Sequence, residues 1–262
     1  MDVRAHNRDA WDRKVTEGCR WTVPVSSEVV AAARRGQWSI ILTPTVPVPT
    51  DWLGEVQGRD VLALGGGGGQ QAPVLAAAGA RVTVLDNSPA QLQRDREVAE
   101  REGLNLTLVE GDMADLGAFP AGSFDLIVNP VSMCFVPDVH PVWREAFRVL
   151  RPEGRLLCGQ MNPAFYVFDF ELAEKGQLEV AHRLPYADVT DMDPAVRAKH
   201  LADGEALEWS HTLNDLIGGQ CAAGFLLTGL YEDRFAPETE DRLSWHMPTL
   251  LATCAVKPEP RS

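Results

Sequence analysis

The sequence predicts a doubly wound α/β fold, a mostly parallel sheet with helices on both faces, and three observations carry that expectation. Short apolar runs alternate with helix-length segments from Asp60 onward. Five consecutive glycines, residues 65–69, follow the first apolar run, and QQAPVLAAAGA then has the character of a helix. The second apolar run, RVTVLD, ends on an acid, Asp86. In an open sheet of this kind ligands sit outside the carboxyl ends of the strands, so the glycines and this acid fall where a ligand is expected.

Each element follows from local pattern. Residues 61–64 read as the first strand, 70–78 as a helix closed by Gly79, and 81–86 as the second strand. Pro73 is tolerated in the first helical turn, where a missing N–H costs little. Ser88, Pro89 and Gln91 form an S-x-x-Q capping box that opens a helix from 89 to about 102, stopped by Gly103. Strands three and four are expected at 104–110 and 124–129, a helix at 141–150 with Trp143, Phe147 and Leu150 on one side, and strand five at 155–159. From 160 to 211 the regularity is lost, and MNPAFYVFDF and HRLPYADVTDMDP read as a lid insertion after strand five. Thr212 caps a helix over 212–223, which Gly218 and Gly219 weaken. Two further strands, 225–231 and 249–256, are joined by a charged loop around 238–242 and bring the sheet to seven.

Residues 1–57 precede this core as a helical arm, with helices expected over 9–17 and 27–35 and an extended TPTVPVPTDW connection. The arm holds Trp11, Trp21, Trp38 and Trp52, and so apolar a segment is expected to pack on the mouth of the following domain, residues 58–262. Disorder is expected only at the ends, notably in the closing KPEPRS.

The net charge of −13 repels phosphate backbones, which argues against nucleic acid as a partner. The five cysteines are scattered without a CxxC pair and read as reduced thiols, neither a disulfide framework nor a zinc site. The opening MDVRAHNRDAWD has no apolar core, and no apolar run approaches a membrane span, so a soluble cytoplasmic protein is expected. GxSxG, HExxH and P-loop signatures are absent, as is any spaced metal-ligand cluster, which weighs against hydrolase and metalloenzyme readings.

A glycine turn at the end of strand one suits a dinucleotide or S-adenosylmethionine (SAM), its backbone amides aimed at the ligand. The dinucleotide fingerprint G-x-G-x-x-G breaks at Gln70, whereas Gly65-x-Gly67-x-Gly69 matches G-x-G-x-G. Here the chain resembles the class I SAM-dependent methyltransferases, a Rossmann-like family, over roughly residues 60 to 160: EGDMADL, FDLIVNP and VLRPEGRLL are similar to that family's later motifs. The resemblance implies that Gly65, Gly66 and Gly67 approach the methionine part of the cofactor, that Asp86 holds the ribose hydroxyls, and that Asp112 and Met113 meet the adenine. It groups Gln70, Asn87, Gln91 and Asn129 with them, Asn129 serving either as a turn former or as a contact. The family often carries an acid two positions before the first glycine, where this chain has Ala63, so the cofactor's ammonium is expected to meet backbone, Gln70, Gln71 or the arm.

The implied function is methyl transfer from SAM to a thiol, hydroxyl or amine of a small molecule, with a nicotinamide-dependent oxidoreductase or a non-catalytic SAM-binding protein as alternatives. His140, Tyr166 and His211 are the candidate catalytic groups, with His182 a further candidate base; each histidine is also the kind of residue found hydrogen-bonded or at a surface without catalysing anything. Tyr166, Phe165 and Phe168 are expected either to wall the acceptor pocket or to pack the lid.

Overall fold

The computed structural model describes residues 1–236 and 242–260. The predicted loop around 238–242 and the end of the KPEPRS tail fall largely outside them. Seven strands form one sheet: β1 Asp60–Leu64, β2 Arg81–Asp86, β3 Leu106–Glu110, β4 Phe124–Asn129, β5 Leu150–Met161, β6 Leu226–Asp233 and β7 Leu250–Val256. Their order is β3-β2-β1-β4-β5-β7-β6. All pairs are parallel except those of β7, which runs antiparallel to both β5 and β6. The order reverses at β1, so the crevice between β1 and β4 opens at the glycine turn.

β1 shows why the sheet is central. Its alternate residues feed opposite faces: Val61 and Ala63 enter one core with Leu75, Val84 and Trp52, while Leu62 and Leu64 enter another with Ile127, Trp143 and Leu156. A third, smaller cluster of Cys134, Met161, Tyr166, Tyr186 and Leu250 lies beyond the carboxyl ends of β4 and β5.

Ten α-helices are found among the described residues, beginning with α1 Val3–Glu17, α2 Ser27–Arg34, α3 Thr50–Leu53, α4 Gln71–Ala77 and α5 Pro89–Glu102. They continue with α6 His140–Val149, α7 Phe170–Glu174, α8 Asp188–Asp191, α9 Pro194–Asp203 and α10 Gly219–Ala222. α1 starts well before the expected residue 9, because Asp2 caps it by accepting a hydrogen bond from the Ala5 amide at 3.1 Å. Ser88 caps α5 as its motif predicts, accepting from the Gln91 amide. The second half of the box is absent, since the Ser88 amide donates to Asp86 Oδ1 at 2.9 Å; Asp12 of α1 accepts in addition from the Ser88 hydroxyl at 2.6 Å and the Ala90 amide at 3.1 Å. One helix of the arm thus completes the cap of a helix of the sheet.

Two element boundaries depart from the expected pattern. β5 begins at Leu150, ahead of the expected residue 155, since Phe124 pairs with Leu150 before a register shift brings Leu126 opposite Arg155. The segment at 212–223 divides into a π-helical turn, Asn214–Gly218, and the short α10. Trp143 lies against Gly219, where an added Cβ would come within 2.8 Å of its ring, and its indole N–H donates to the Asp215 carbonyl at 2.9 Å. That carbonyl is engaged from outside the helix, a known cause of local widening.

Candidate functional site

A cavity of about 590 Å³ opens at the carboxyl ends of β1, β2 and β4, within the range of small-molecule sites. Its floor on one side is the glycine turn with Asp86, Asn87, Gln91, Asp112 and Met113; its far wall is Cys134, Met161, Phe165, Glu208, Phe235 and Leu250. Arm residues Arg4, Asn7, Trp11 and Trp21 close over both. Of the arm's other tryptophans, Trp38 packs on the core and Trp52 stacks on Tyr231, at 5.2 Å, beneath β6.

The glycine turn departs from the sequence expectation. Its amides point into the protein: Gly65 donates to the Leu85 carbonyl at 2.8 Å, Gly67 to Asp86 Oδ2 at 2.9 Å and Gly68 to Asp95 Oδ2 at 3.0 Å. The expectation of amides aimed at a ligand is therefore corrected at these three positions. What the glycines supply is closeness, since a Cβ on Gly65 would fall 2.7 Å from Met113 Cε and one on Gly67 would fall 2.8 Å from Gln91 Cβ and 2.9 Å from Asp86 Oδ2. Gly65 also holds φ +55, a left-handed conformation that suits glycine.

Two acids anchor the turn. Asp86 accepts from Gly67 through Oδ2 and from the Ser88 amide through Oδ1 at 2.9 Å, and burial pushes its carboxyl above the usual range. Each oxygen retains a second lone pair, so the carboxylate can still accept from two hydroxyls. Asp95, fully buried on α5, accepts from the Gly68 amide through Oδ2 and leaves Oδ1 without a partner among the described residues; burial raises it to about 7. The sequence offered only a mid-helix acid at this position.

Arg4 bonds Asn87 Oδ1 at 3.0 Å and stands 4.0 Å from Asp112, while Asn87 returns a bond to the Arg4 carbonyl at 2.9 Å. Gln70 donates to the carbonyls of Arg20 and Val23, and Gln71 to that of Ile41. Gln91 Oε1 is buried at the cavity wall and has no partner among the described residues. An unsatisfied acceptor, a diol-ready carboxylate and a side-chain-free turn together fit SAM.

Other candidates lie elsewhere. Asn129 is fully buried: its amide donates to the Leu64 carbonyl at 2.6 Å and to Ser132 Oγ at 2.8 Å, and its oxygen accepts from Cys158 Sγ. It ties β4 to β1 and does not line the cavity, and Gly66 does not line it either. His140 lies at the start of α6 against Asp138, at 2.8 Å. His211 is buried, and its Nε2–H donates to the Met133 carbonyl at 3.0 Å, because a carbonyl can only accept; burial lowers its pKa. Tyr166 stands behind the wall with its hydroxyl on Glu208 Oε2 at 2.5 Å, and burial holds that phenol far above its ordinary value. None of the three lines the cavity, nor does His182, which packs against Tyr186 and Phe170. Phe165 does line it, whereas Phe168 does not.

Glu208, which no local pattern marks in the sequence, is an acid of the far wall. The segment that carries it pairs with 186–188: its amide donates to Asp188 Oδ2 at 2.7 Å, and its carbonyl accepts from the Asp188 amide at 3.1 Å. The neighbouring Leu207 is gripped by Asn7 of α1 through two hydrogen bonds, at 3.0 and 2.8 Å.

A seven-stranded sheet of this order, with a glycine turn and a strand-end acid facing one cavity, defines a class I SAM-dependent methyltransferase. Comparison with known proteins agrees. Residues 62–158 match the family model of a methyltransferase domain. Over 230 residues, 88% of this chain and 90% of the relative, the sequence is 51% identical to the uncharacterized methyltransferase YbaJ of Bacillus subtilis (strain 168). The fold is similar to a SAM-dependent methyltransferase from Mesorhizobium loti, with TM-score 0.62, 21% identity and coverage of 79% of this chain and 94% of that one. It is also similar to 1,6-didemethyltoxoflavin-N1-methyltransferase of Burkholderia thailandensis with bound 1,6-didemethyltoxoflavin and S-adenosylhomocysteine, with TM-score 0.58, 18% identity and coverage of 97% and 88%. The chain belongs to the class I SAM-dependent methyltransferases, and SAM is its cofactor. The oxidoreductase and non-catalytic readings are set aside. Among the described residues no helix is long and apolar enough to cross a membrane.

Proposed function

We propose that this methyltransferase transfers its methyl group to a thiol, hydroxyl or amine of a small molecule, taken up in the far half of the cavity. The observation that carries this reading is that the cavity continues past the cofactor-side residues into a pocket walled by Phe135, Phe165, Phe235, Met161 and Leu250 and roofed by the arm. A pocket roofed in this way suits a small apolar or aromatic body better than a segment of a macromolecule.

SAM, when bound, supplies an electrophilic methyl group on a sulfonium whose thioether leaves without acid assistance. The residues of the chain then have three tasks. Asp86 and Asp112 hold the nucleoside, and Gly65 and Gly67 leave room beside it. The amide oxygens of Gln70 and Gln71, to which no described residue donates, stand in for the acid missing at Ala63 as acceptors for the cofactor's ammonium. Trp11, Trp21 and the aromatic wall exclude water and align the acceptor, and alignment alone can contribute several kcal/mol to the rate. The arm, residues 1–57, and the segment at about 160–211, acting as a lid on the domain at 58–262, give the pocket its specificity. Free thiols at all five cysteines fit a cytoplasmic protein.

The test is to incubate the protein and SAM with small thiols, phenols, alcohols and amines and to follow release of S-adenosylhomocysteine. Turnover of at least one class is the expected result. Release seen only with protein or nucleic acid substrates would contradict the proposal.

A further inference from the structure

Glu208 presents a carboxylate to the far half of the cavity with no counter-cation among the described residues. Tyr166 donates to Oε2, and no described residue donates to Oε1. Its ionisable surroundings come from every packed element: Tyr166, Asp188 of α8, His200 of α9, Lys14 of α1 and Cys134 after β4. None of these cations comes within ion-pair distance of it; Lys14 is engaged by Glu205 at 2.7 Å, and His200 stands 3.9 Å from Asp188. Burial raises the Glu208 carboxyl to about 7, the range in which a carboxylate serves as a general base at neutral pH.

The charge of the lining points the same way. Arg4 is the one basic side chain among the described lining residues, and it is committed to Asn87 on the cofactor side. The far half therefore holds a carboxylate and aromatic faces, a combination that favours a cation and disfavours a phenolate or thiolate.

We infer that the methyl acceptor is an amine with an aromatic or apolar body, and that Glu208 Oε1 accepts the proton of its ammonium group while Phe135, Phe165 and Phe235 hold the body. The inference rests on the reading of this pocket as a small-molecule acceptor site. The N–H bond breaks, the proton goes to Glu208, and the electron pair stays on nitrogen, which then receives the methyl group carried by SAM. The protonated Glu208 returns its proton to water as product leaves. Tyr166 is a positioning residue, fixing the carboxylate through Oε2.

The experiment uses the full chain with SAM and three matched probes, phenethylamine, phenethyl alcohol and 2-phenylethanethiol, together with Glu208→Gln and Tyr166→Phe. The expected result is S-adenosylhomocysteine release with phenethylamine, lowered at least 100-fold by Glu208→Gln with SAM affinity unchanged. Calorimetry on the protein saturated with S-adenosylhomocysteine should show phenethylamine bound at least tenfold more weakly by Glu208→Gln and phenethyl alcohol bound equally by both. Tyr166→Phe removes a bond that favours the ionised carboxylate, so the acidic limb of kcat/KM should move to higher pH. Turnover confined to the alcohol or thiol, or amine turnover indifferent to Glu208→Gln, would overturn the inference and leave the small-molecule reading standing. A parallel loss of SAM affinity in Glu208→Gln would also overturn it, assigning the carboxylate to the cofactor. Release with none of the three, while SAM still binds, would overturn it, and silence across the wider small-molecule panel would take the small-molecule reading with it.

Discussion

The two halves of the cavity are built by different means. The cofactor half comes from consecutive strand ends of one sheet: the turn after β1, Asp86 at the end of β2 and Asp112 after β3. The far half is assembled from pieces distant in sequence, with Asn7 bonded to Leu207, Lys14 paired with Glu205, and Tyr166 bonded to Glu208. The first half is fixed by topology, whereas the second depends on side chains that meet only after the chain has folded. Such a division lets a chain keep its cofactor while its acceptor pocket is rebuilt, because changes at 160–211 leave the switch point at β1 intact.

The largest effect should come from the cofactor half. Asp86→Ala removes the carboxylate proposed for the ribose and should weaken SAM binding about 100-fold, roughly 2.7 kcal/mol, as measured by calorimetry. Circular dichroism should remain native. Next, Phe165→Ala should raise the KM for the acceptor about tenfold, in line with loss of a buried aromatic contact, and leave the SAM dissociation constant within about twofold. If both constants move together, the two halves are not separable.

A smaller effect is expected at the joint between them. Asn7→Ala breaks the bonds to Leu207 and to the Phe135 carbonyl, and buried hydrogen bonds of this kind contribute about 1 kcal/mol each. The melting temperature should fall by several degrees, and acceptor KM should rise more than SAM affinity falls.

The last effect is read as a pH slope. Burial raises Asp95 from 3.8 to about 7, so the folded protein holds that proton more tightly than the unfolded chain and loses stability as pH climbs between those values. Asp95→Asn cannot ionise. Its stability relative to wild type, followed by denaturant melts, should therefore increase from about pH 4 to pH 7 and level off above.

The same division decides what the sequence reveals. Strands β1 and β2 are short apolar runs closed by glycine and by an acid, and β4 is a third such run, so both the sheet and the place of Asp86 are legible in local pattern. Asp95 is hidden because an acid in the middle of an amphipathic helix looks like a solvated face, and only the fold turns it toward Gly68. Glu208 is hidden because nothing local marks it: its partner Tyr166 lies 42 residues away, in a segment without periodicity. His211 draws attention as a candidate base after that segment, yet its ring is spent on the Met133 carbonyl. Asn129 fits a motif, but its amide is used up joining β4 to β1.

The most direct test of the two-part cavity is a crystal structure of the full chain with S-adenosylhomocysteine. The ribose hydroxyls should lie within hydrogen-bond distance of Asp86 and the adenine beside Asp112 and Met113, with the space between Phe165 and Glu208 left open for the acceptor. A product molecule bound across Phe165 and Glu208, with Asp86 untouched, would contradict the account.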